Sequence, residues 1–133
     1  MPSMQAVVMS RTGGPEVLVV RSLPLPELPS PRHVRVRLHA AGVNPVDTKL
    51  RANGTYYPDR LPAILGCDGA GVVEAVGDKA TRFQSGDKVY FCSGGIGGEA
   101  GNYATYNTVH EDYVARMPAN LDFTAAAAVP LVL

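Results

Sequence analysis

The sequence predicts a mainly β domain with short helices, and three observations carry that expectation. β-Branched and alternating runs recur along the chain, clusters of glycine, proline and asparagine punctuate them, and helix starts of the usual order occur only after Asn44 and Asp122. A length of 133 residues with 46% hydrophobic content fits one globular domain with an ordinary core.

Residues 4–9 and 16–20 are short β-branched runs flanking Thr12-Gly13-Gly14-Pro15, which reads as two strands and a turn. Between Leu23 and Pro31, four prolines with fixed φ and no N–H favour an extended connector. Pro26-Glu27-Leu28-Pro29 also has the PxxP spacing of SH3 ligands, but one such match carries little weight against the connector. From Arg32 to Leu38 the alternation is strict: Val34, Val36 and Leu38 share one face, and His33, Arg35, Arg37 and His39 the other. This is a half-buried strand with a solvated cationic face. Its histidines lie ~20 Å apart along the strand and cannot share a metal.

Asn44-Pro45-Val46-Asp47 has the order of a helix N-terminus: Asn as N-cap, Pro at the first helical position, an acid facing the positive dipole end. The helix runs to about Ala52, with Val46 and Leu50 on one face, Lys49 flanking that face and placed to reach a cleft, and Arg51 pointing away. Asn53-Gly54 ends it, and prolines stiffen the following loop from Thr55 to Pro62, which bears Tyr56 and Tyr57. Val72, Val73 and Val76 form a strand turning at Gly77-Asp78, and Ser85-Gly86-Asp87 leads into another, Lys88 to Cys92. Five of the nine residues from Ser93 to Gly101 are glycine, so that stretch is a loop. Tyr103 to Val109 and Tyr113 to Met117 read as the last strands, after which Asp122 caps a helix entering the alanine run.

Zero formal net charge excludes a global field toward nucleic acid or anionic membrane, leaving small molecules as the expected partners. The longest apolar run, Ala125 to Leu133, is broken by Pro130 and falls well short of the ~20 residues of a membrane span. Cys67 and Cys92 are the only cysteines and the N-terminus lacks a signal-peptide layout, so a reducing cytoplasm is expected.

Three groups of residues have the chemistry for a site. Gly95-Ile96-Gly97-Gly98-Glu99-Ala100 matches G-x-G-x-x-A after a strand, but a strand-like sequence follows where a dinucleotide fingerprint needs a helix, so a mobile loop is expected instead. Cys67, Asp68, Cys92, His33, His39 and His110 are ligand-capable, yet no CxxC, HExxH or His/Cys pair at i,i+4 occurs, so no metal site is expected; Cys67 reads as a small buried residue in a tight turn between Gly66 and Gly69. Asn44, Lys49 and Tyr56 form the third group, each with an ordinary use as cap, surface charge or half-buried aromatic.

Taken together, Ala41-Gly-Val-Asn-Pro-Val-Asp47, Leu65-Gly-Cys-Asp-Gly-Ala-Gly-Val-Val73, Gly86-Asp-Lys-Val-Tyr90, Gly101-Asn-Tyr-Ala-Thr-Tyr106 and the segment from Asp122 to Pro130 span nearly the whole chain. In this order they resemble the catalytic domain of the medium-chain dehydrogenase/reductase superfamily, in its zinc-independent, zeta-crystallin-like quinone oxidoreductase branch. The resemblance implies a GroES-like, partly open β-barrel over residues 1–133, with the junction to a Rossmann domain, expected in the full-length protein and absent here, at about 122–133.

By the same resemblance, hydride passes from NADPH to a quinone or activated enone without a metal. Asn44 then contacts the nicotinamide or the substrate carbonyl through its side-chain amide, since capping uses the oxygen and leaves the NH2 free. Tyr56 hydrogen-bonds the substrate. Lys49 stands where some relatives have tyrosine, and its ammonium would stabilise a developing enolate or quinol oxygen. Pro130 approaches the nicotinamide. The full-length protein is implied to be a homodimer, and the isolated chain to be inactive.

The zinc alcohol dehydrogenases of the superfamily have cysteine at the Asn44 position, Gly-His-Glu in place of Gly66-Cys67-Asp68, and a four-cysteine lobe that this chain lacks. Two alternatives stand beside the main reading: a zinc alcohol dehydrogenase with atypical ligands, Cys67 among them, and a non-catalytic GroES-like binding module. The uncapped apolar end from Ala125 to Leu133 counts against the module.

Overall fold

In a computed structural model, residues 2–133 are described. They form seven strands and two α-helices in the order β1 (Ser3–Met9), β2 (Leu18–Pro24), β3 (His33–Gly42), α1 (Pro45–Asn53), β4 (Asp68–Val76), β5 (Lys88–Cys92), β6 (Tyr106–His110), β7 (Val114–Arg116) and α2 (Phe123–Ala127). Strands β1 and β2 pair as a two-stranded antiparallel sheet, and the other five assemble in the order β6-β3-β4-β5-β7. This is the mainly β architecture with short helices and open sheets expected from the sequence.

Strand β3 lies inside the sheet with both edges paired, β4 on one side and β6 on the other. Its alternation holds: Val34 and Val36 are fully buried against Val73, Phe83, Val89, Phe91, Val109 and Val114. Burying such side chains stabilises by about 1.5–3 kcal/mol each, so this cluster is the main core. On the opposite face Arg35 is bound to Glu74 at 2.6 Å through Nε and 3.2 Å through a terminal nitrogen, and donates to the Pro26 carbonyl at 3.2 Å. That last contact pins the proline-rich segment to the sheet as a connector.

Several boundaries differ from the sequence expectation for local reasons. Pro15–Val17 forms a 3-10 turn with Val17 buried, so the second strand starts at Leu18. It runs on to Pro24, whose missing N–H is tolerated at the end of an outer strand. Strand β4 starts at Asp68, four residues before the first valine of the expected strand, because Gly69 and Gly71 lie within it. A side chain at Gly71 would overlap the Arg37 carbonyl of β3, so the glycine permits the close pairing. The turn before β4 is made by Gly66 at φ +102°, with Gly69 outside it. The penultimate strand begins at Tyr106, Ala104 making an isolated bridge to Ala6, and the last is shortened by a 3-10 turn at Glu111–Tyr113.

Helix α1 starts as expected. Asn44 is extended (φ −122°, ψ 157°), and the Asp47 carboxylate accepts its backbone N–H at 2.8 Å. Gly54 at φ +111° ends the helix and donates to the Leu50 carbonyl. Leu50 joins Met9, Val17, Ala63 and Leu65 in a second apolar cluster with Val46 against it. Arg51, expected to point away, instead donates from Nε to the Gly13 carbonyl at 3.0 Å, while the Gly13 N–H donates to the Arg51 carbonyl. The turn before β2 offers both groups, and the arginine at the end of α1 takes them.

Candidate functional site

The polar residues at the start of α1 meet those at the start of β4 in a buried node. Asn44 is 7% exposed, Asp47 4% and Asp68 1%. Asn44 Nδ2 donates to Asp68 Oδ2 at 3.0 Å, and the Tyr103 hydroxyl donates to Asp47 Oδ2 at 2.9 Å. Cys67 Sγ lies 4.0 Å from Asp47 Oδ1. Burial, with the hydrogen bond to Asp47 after it, pushes the Tyr103 hydroxyl well above its ordinary range. Burial, followed by the negative charge of Asp47, likewise pushes the Cys67 thiol up to about 11, so it is a protonated thiol at neutral pH. Asp68 Oδ1 is buried with no hydrogen-bond partner among the described residues.

Asn102 builds this node from behind. Itself 1% exposed, it donates from Nδ2 to the carbonyls of Gly66 (3.2 Å) and Cys67 (3.1 Å), and its Oδ1 accepts from Asn107 at 2.9 Å. Gly69 leaves the space that Asn102 fills, since a Cβ there would approach the amide to 2.8 Å. The turn that carries Cys67 and Asp68 is therefore held by this side-chain amide in addition to backbone bonds from Asn102, Tyr103 and Ser93.

Of Asn44, Lys49, Tyr56 and Pro130, the residues expected to meet substrate or cofactor, only Asn44 belongs to the node, together with Cys67 and Asp68 from the ligand-capable group. The Asn44 amide NH2, expected to be free for a ligand, gives one hydrogen to Asp68, because that buried carboxylate requires a donor; one N–H remains. Lys49 is exposed on α1, with no ion pair or hydrogen bond among the described residues. Tyr56 is 69% exposed in the loop after α1, tied down by its backbone N–H to the Ile96 carbonyl at 3.2 Å. Pro130 is half-buried in the turn after α2. That helix is capped by Asp122, whose Oδ1 accepts the Ala125 N–H at 2.8 Å, and packs Ala126 and Ala127 against Ala70 of β4. His39 stacks on Phe123 with ring centres 4.2 Å apart, fixing the helix to the outer face of β3.

Sequence reasoning took Asp47 only as a dipole partner and Asp68 only as a ligand-capable group without a metal site, and missed Asn102 and Tyr103 altogether as site residues. Asp68 and the Asn102-Tyr103 pair stand inside two of the stretches that carried the resemblance, which was the available signal. The glycine-rich loop is followed by β6 and no helix, so the G-x-G-x-x-A match has no dinucleotide-binding context. Among the described residues no three His, Cys, Asp or Glu side chains are arranged to hold a metal ion.

The alcohol dehydrogenase GroES-like domain family matches residues 30–119. The chain is 44% identical over 119 residues to a quinone oxidoreductase of Pseudomonas aeruginosa, covering 90% of this chain and 35% of that protein. It is 43% identical over 127 residues to human quinone oxidoreductase, covering 95% of this chain and 37% of that protein. Among solved structures, the quinone oxidoreductase from Coxiella burnetii superposes with a TM-score of 0.89 at 29% identity, over 98% of this chain and 42% of that one. The chain thus spans little more than a third of the length of these curated relatives. It belongs to the alcohol dehydrogenase GroES-like domain family, and these three relatives are quinone oxidoreductases of the medium-chain dehydrogenase/reductase superfamily.

Proposed function

We propose that this chain is the substrate-cleft wall, residues 1–133 with a junction at about 122–133, of a zinc-independent oxidoreductase that passes hydride from NADPH to a quinone or an activated enone. The single observation that carries the proposal is the donor set of the node. Where a zinc-bound alkoxide would need a thiolate and an imidazole, the chain has Asn44 bound to Asp68 and, in place of the imidazole, Cys67 beside Asp47. Such a node orders hydrogen bonds.

NADPH, when bound, supplies the hydride, and the protein supplies position and polarity. The residues of this chain that would meet the nicotinamide are Asn44, through its remaining Nδ2 hydrogen, and Pro130. Tyr56, whose ring stands clear of the domain, would hydrogen-bond the acceptor oxygen. Lys49, unpaired among the described residues, would bring positive charge to the oxygen on which electrons accumulate, the product taking up hydride and a proton. Two free cysteines fit a reducing cytoplasm.

The test uses the protein that carries this domain together with its nucleotide-binding domain. Asn44→Ala and Tyr56→Phe should each lower kcat/KM for NADPH-linked quinone reduction by about tenfold or more, the size of a lost hydrogen bond in a buried or bound setting. Unchanged rates in both variants would remove the assigned site.

A further inference from the structure

The glycine-rich stretch from Ser93 to Gly101 takes no part in the function proposed above, yet it is packed against the loop that carries Tyr56. The Tyr56 N–H donates to the Ile96 carbonyl at 3.2 Å. Gly97 has φ +105°, and any Cβ on it would overlap Thr55 Oγ1, the atom that accepts the Tyr57 N–H at 3.2 Å. A Cβ on Gly98 would lie 3.0 Å from Cε2 of Tyr57. The Tyr57 ring therefore rests on bare backbone at Gly98, where a Cβ would crowd it and shift it by a few tenths of an ångström. Arg60 completes the arrangement: its guanidinium carbon lies 5.3 Å from the centre of the Tyr57 ring, and its backbone N–H donates to the Tyr57 carbonyl at 2.9 Å.

Beneath, the glycine loop is fixed to the polar node. The Ser93 N–H donates to the Cys67 carbonyl at 2.9 Å, and a Cβ on Gly95 would approach the Gly66 backbone to 2.6 Å. A continuous set of contacts thus runs from Asp68 and Cys67, through the glycine loop, to Tyr57. The neighbouring tyrosines divide the work. Tyr57, 43% exposed, is held on the glycine seat, and Tyr56, 69% exposed, is left free outside it. Between the two loops lies a cavity of about 350 Å³ bounded by Tyr57, Arg60, Ser93, Ile96, Glu99 and Tyr113. That is within the size range of small-molecule pockets.

We infer that Gly95-Ile96-Gly97-Gly98 is a seat for the tyrosine loop, and that Tyr57 is a positioning residue that sets acceptor affinity and selectivity by holding Tyr56 in place. This rests on the proposed role of Tyr56 in meeting the acceptor. The motif that resembles a phosphate-binding fingerprint has glycines for a different reason: a side chain at Gly97 would overlap Thr55, and one at Gly98 would crowd Tyr57.

Two readouts test it, chosen to separate this inference from the proposed function. Amide hydrogen exchange on the chain reads the seat directly. In Tyr57→Leu and in Gly98→Ala, the Tyr56 amide should exchange about tenfold faster than in wild type, while amides of β3 and β4 are unchanged and Tyr57→Phe stays wild-type-like. Unchanged protection of Tyr56 in both disruptive variants would overturn the seat. Quinone reduction by the two-domain protein reads the consequence: Tyr57→Leu should raise KM severalfold, change kcat by less than about twofold, and alter the kcat/KM ratio between a one-ring and a three-ring quinone, with Tyr57→Phe restoring wild-type values. Faster exchange with unaltered KM and ratio would overturn the role in acceptor selection. A wild-type protein that reduces no quinone would refute the proposed function, and the exchange experiment would still decide the seat by itself.

Discussion

Asn44 Nδ2 and Asp68 Oδ2 meet at 3.0 Å in the interior of the domain, joining the cap of α1 to the first residue of β4 across 24 positions of sequence. Both side chains are more than nine-tenths buried, so neither has water as a substitute partner. Asp68→Ala should destabilise the domain by about 2–3 kcal/mol, the cost of leaving a buried donor unpaired, with Asp68→Asn costing roughly 1 kcal/mol or less. Denaturant unfolding measures both; equal and negligible losses would show that the pair is not formed in solution.

Tyr103 secures the other carboxylate of the node, its hydroxyl donating to Asp47 Oδ2 at 2.9 Å. Removing only that oxygen in Tyr103→Phe should lower stability by about 1–2 kcal/mol, since the ring still packs beside Leu65 while the buried Asp47 Oδ2 keeps only the Asn44 N–H as donor. Thermal melts of the two proteins compare them directly. A variant as stable as wild type would contradict the bond.

The two thiols should behave differently toward an alkylating reagent. Cys67 is buried with its thiol pushed up to about 11, whereas Cys92 is exposed and its thiol is also raised, by partial burial first and by Asp68 after it. Native protein should therefore take up one label, slowly at pH 7 and faster as pH rises, and unfolded protein two. Mass spectrometry of labelled peptides assigns the site; rapid labelling of Cys67 in the native state would contradict its placement.

Glu111 predicts a pH dependence. Its carboxylate is fully buried and accepts the backbone N–H groups of Arg82 and Thr81 at 2.9 Å each and the Arg32 side chain at 3.1 Å. The Arg82 N–H foremost, with Thr81 and Arg32, holds its pKa below the ordinary 4.5. A depressed folded-state pKa means stability that is fully present above 4.5 and is lost as pH falls through the lower folded value. Wild-type stability should fall below about pH 4.5 more steeply than that of Glu111→Gln, which starts lower and is flatter in that range. Parallel curves would contradict the assignment.

Much of this architecture was legible in the residues. The alternation of Val34 and Val36, the Asn44-Pro45 helix start and the strand from Lys88 to Cys92 are local patterns, and local patterns read correctly. Departures arise where partners distant in sequence decide. Gly71 belongs to a strand because Arg37 needs to come close, and Arg51 turns back because Gly13 offers it a donor and an acceptor. Asn44 and Tyr56 could be named from the resemblance, but Asp68, Asn102 and Tyr103 acquire their roles through contacts 24 to 56 residues long. Periodicity carries no information at that range. The glycine run shows the same limit, since its spacing matches a phosphate loop while its neighbours are Thr55 and Tyr57.

NADPH-linked reduction of a quinone, followed in the protein carrying this domain and its nucleotide-binding domain before and after exhaustive chelation, tests the central claim most directly. Turnover that is present in the untreated protein and unchanged by chelation is the expected result. Turnover that disappears on chelation and returns with added zinc would contradict metal-free hydride transfer at the Asn44–Asp68 node.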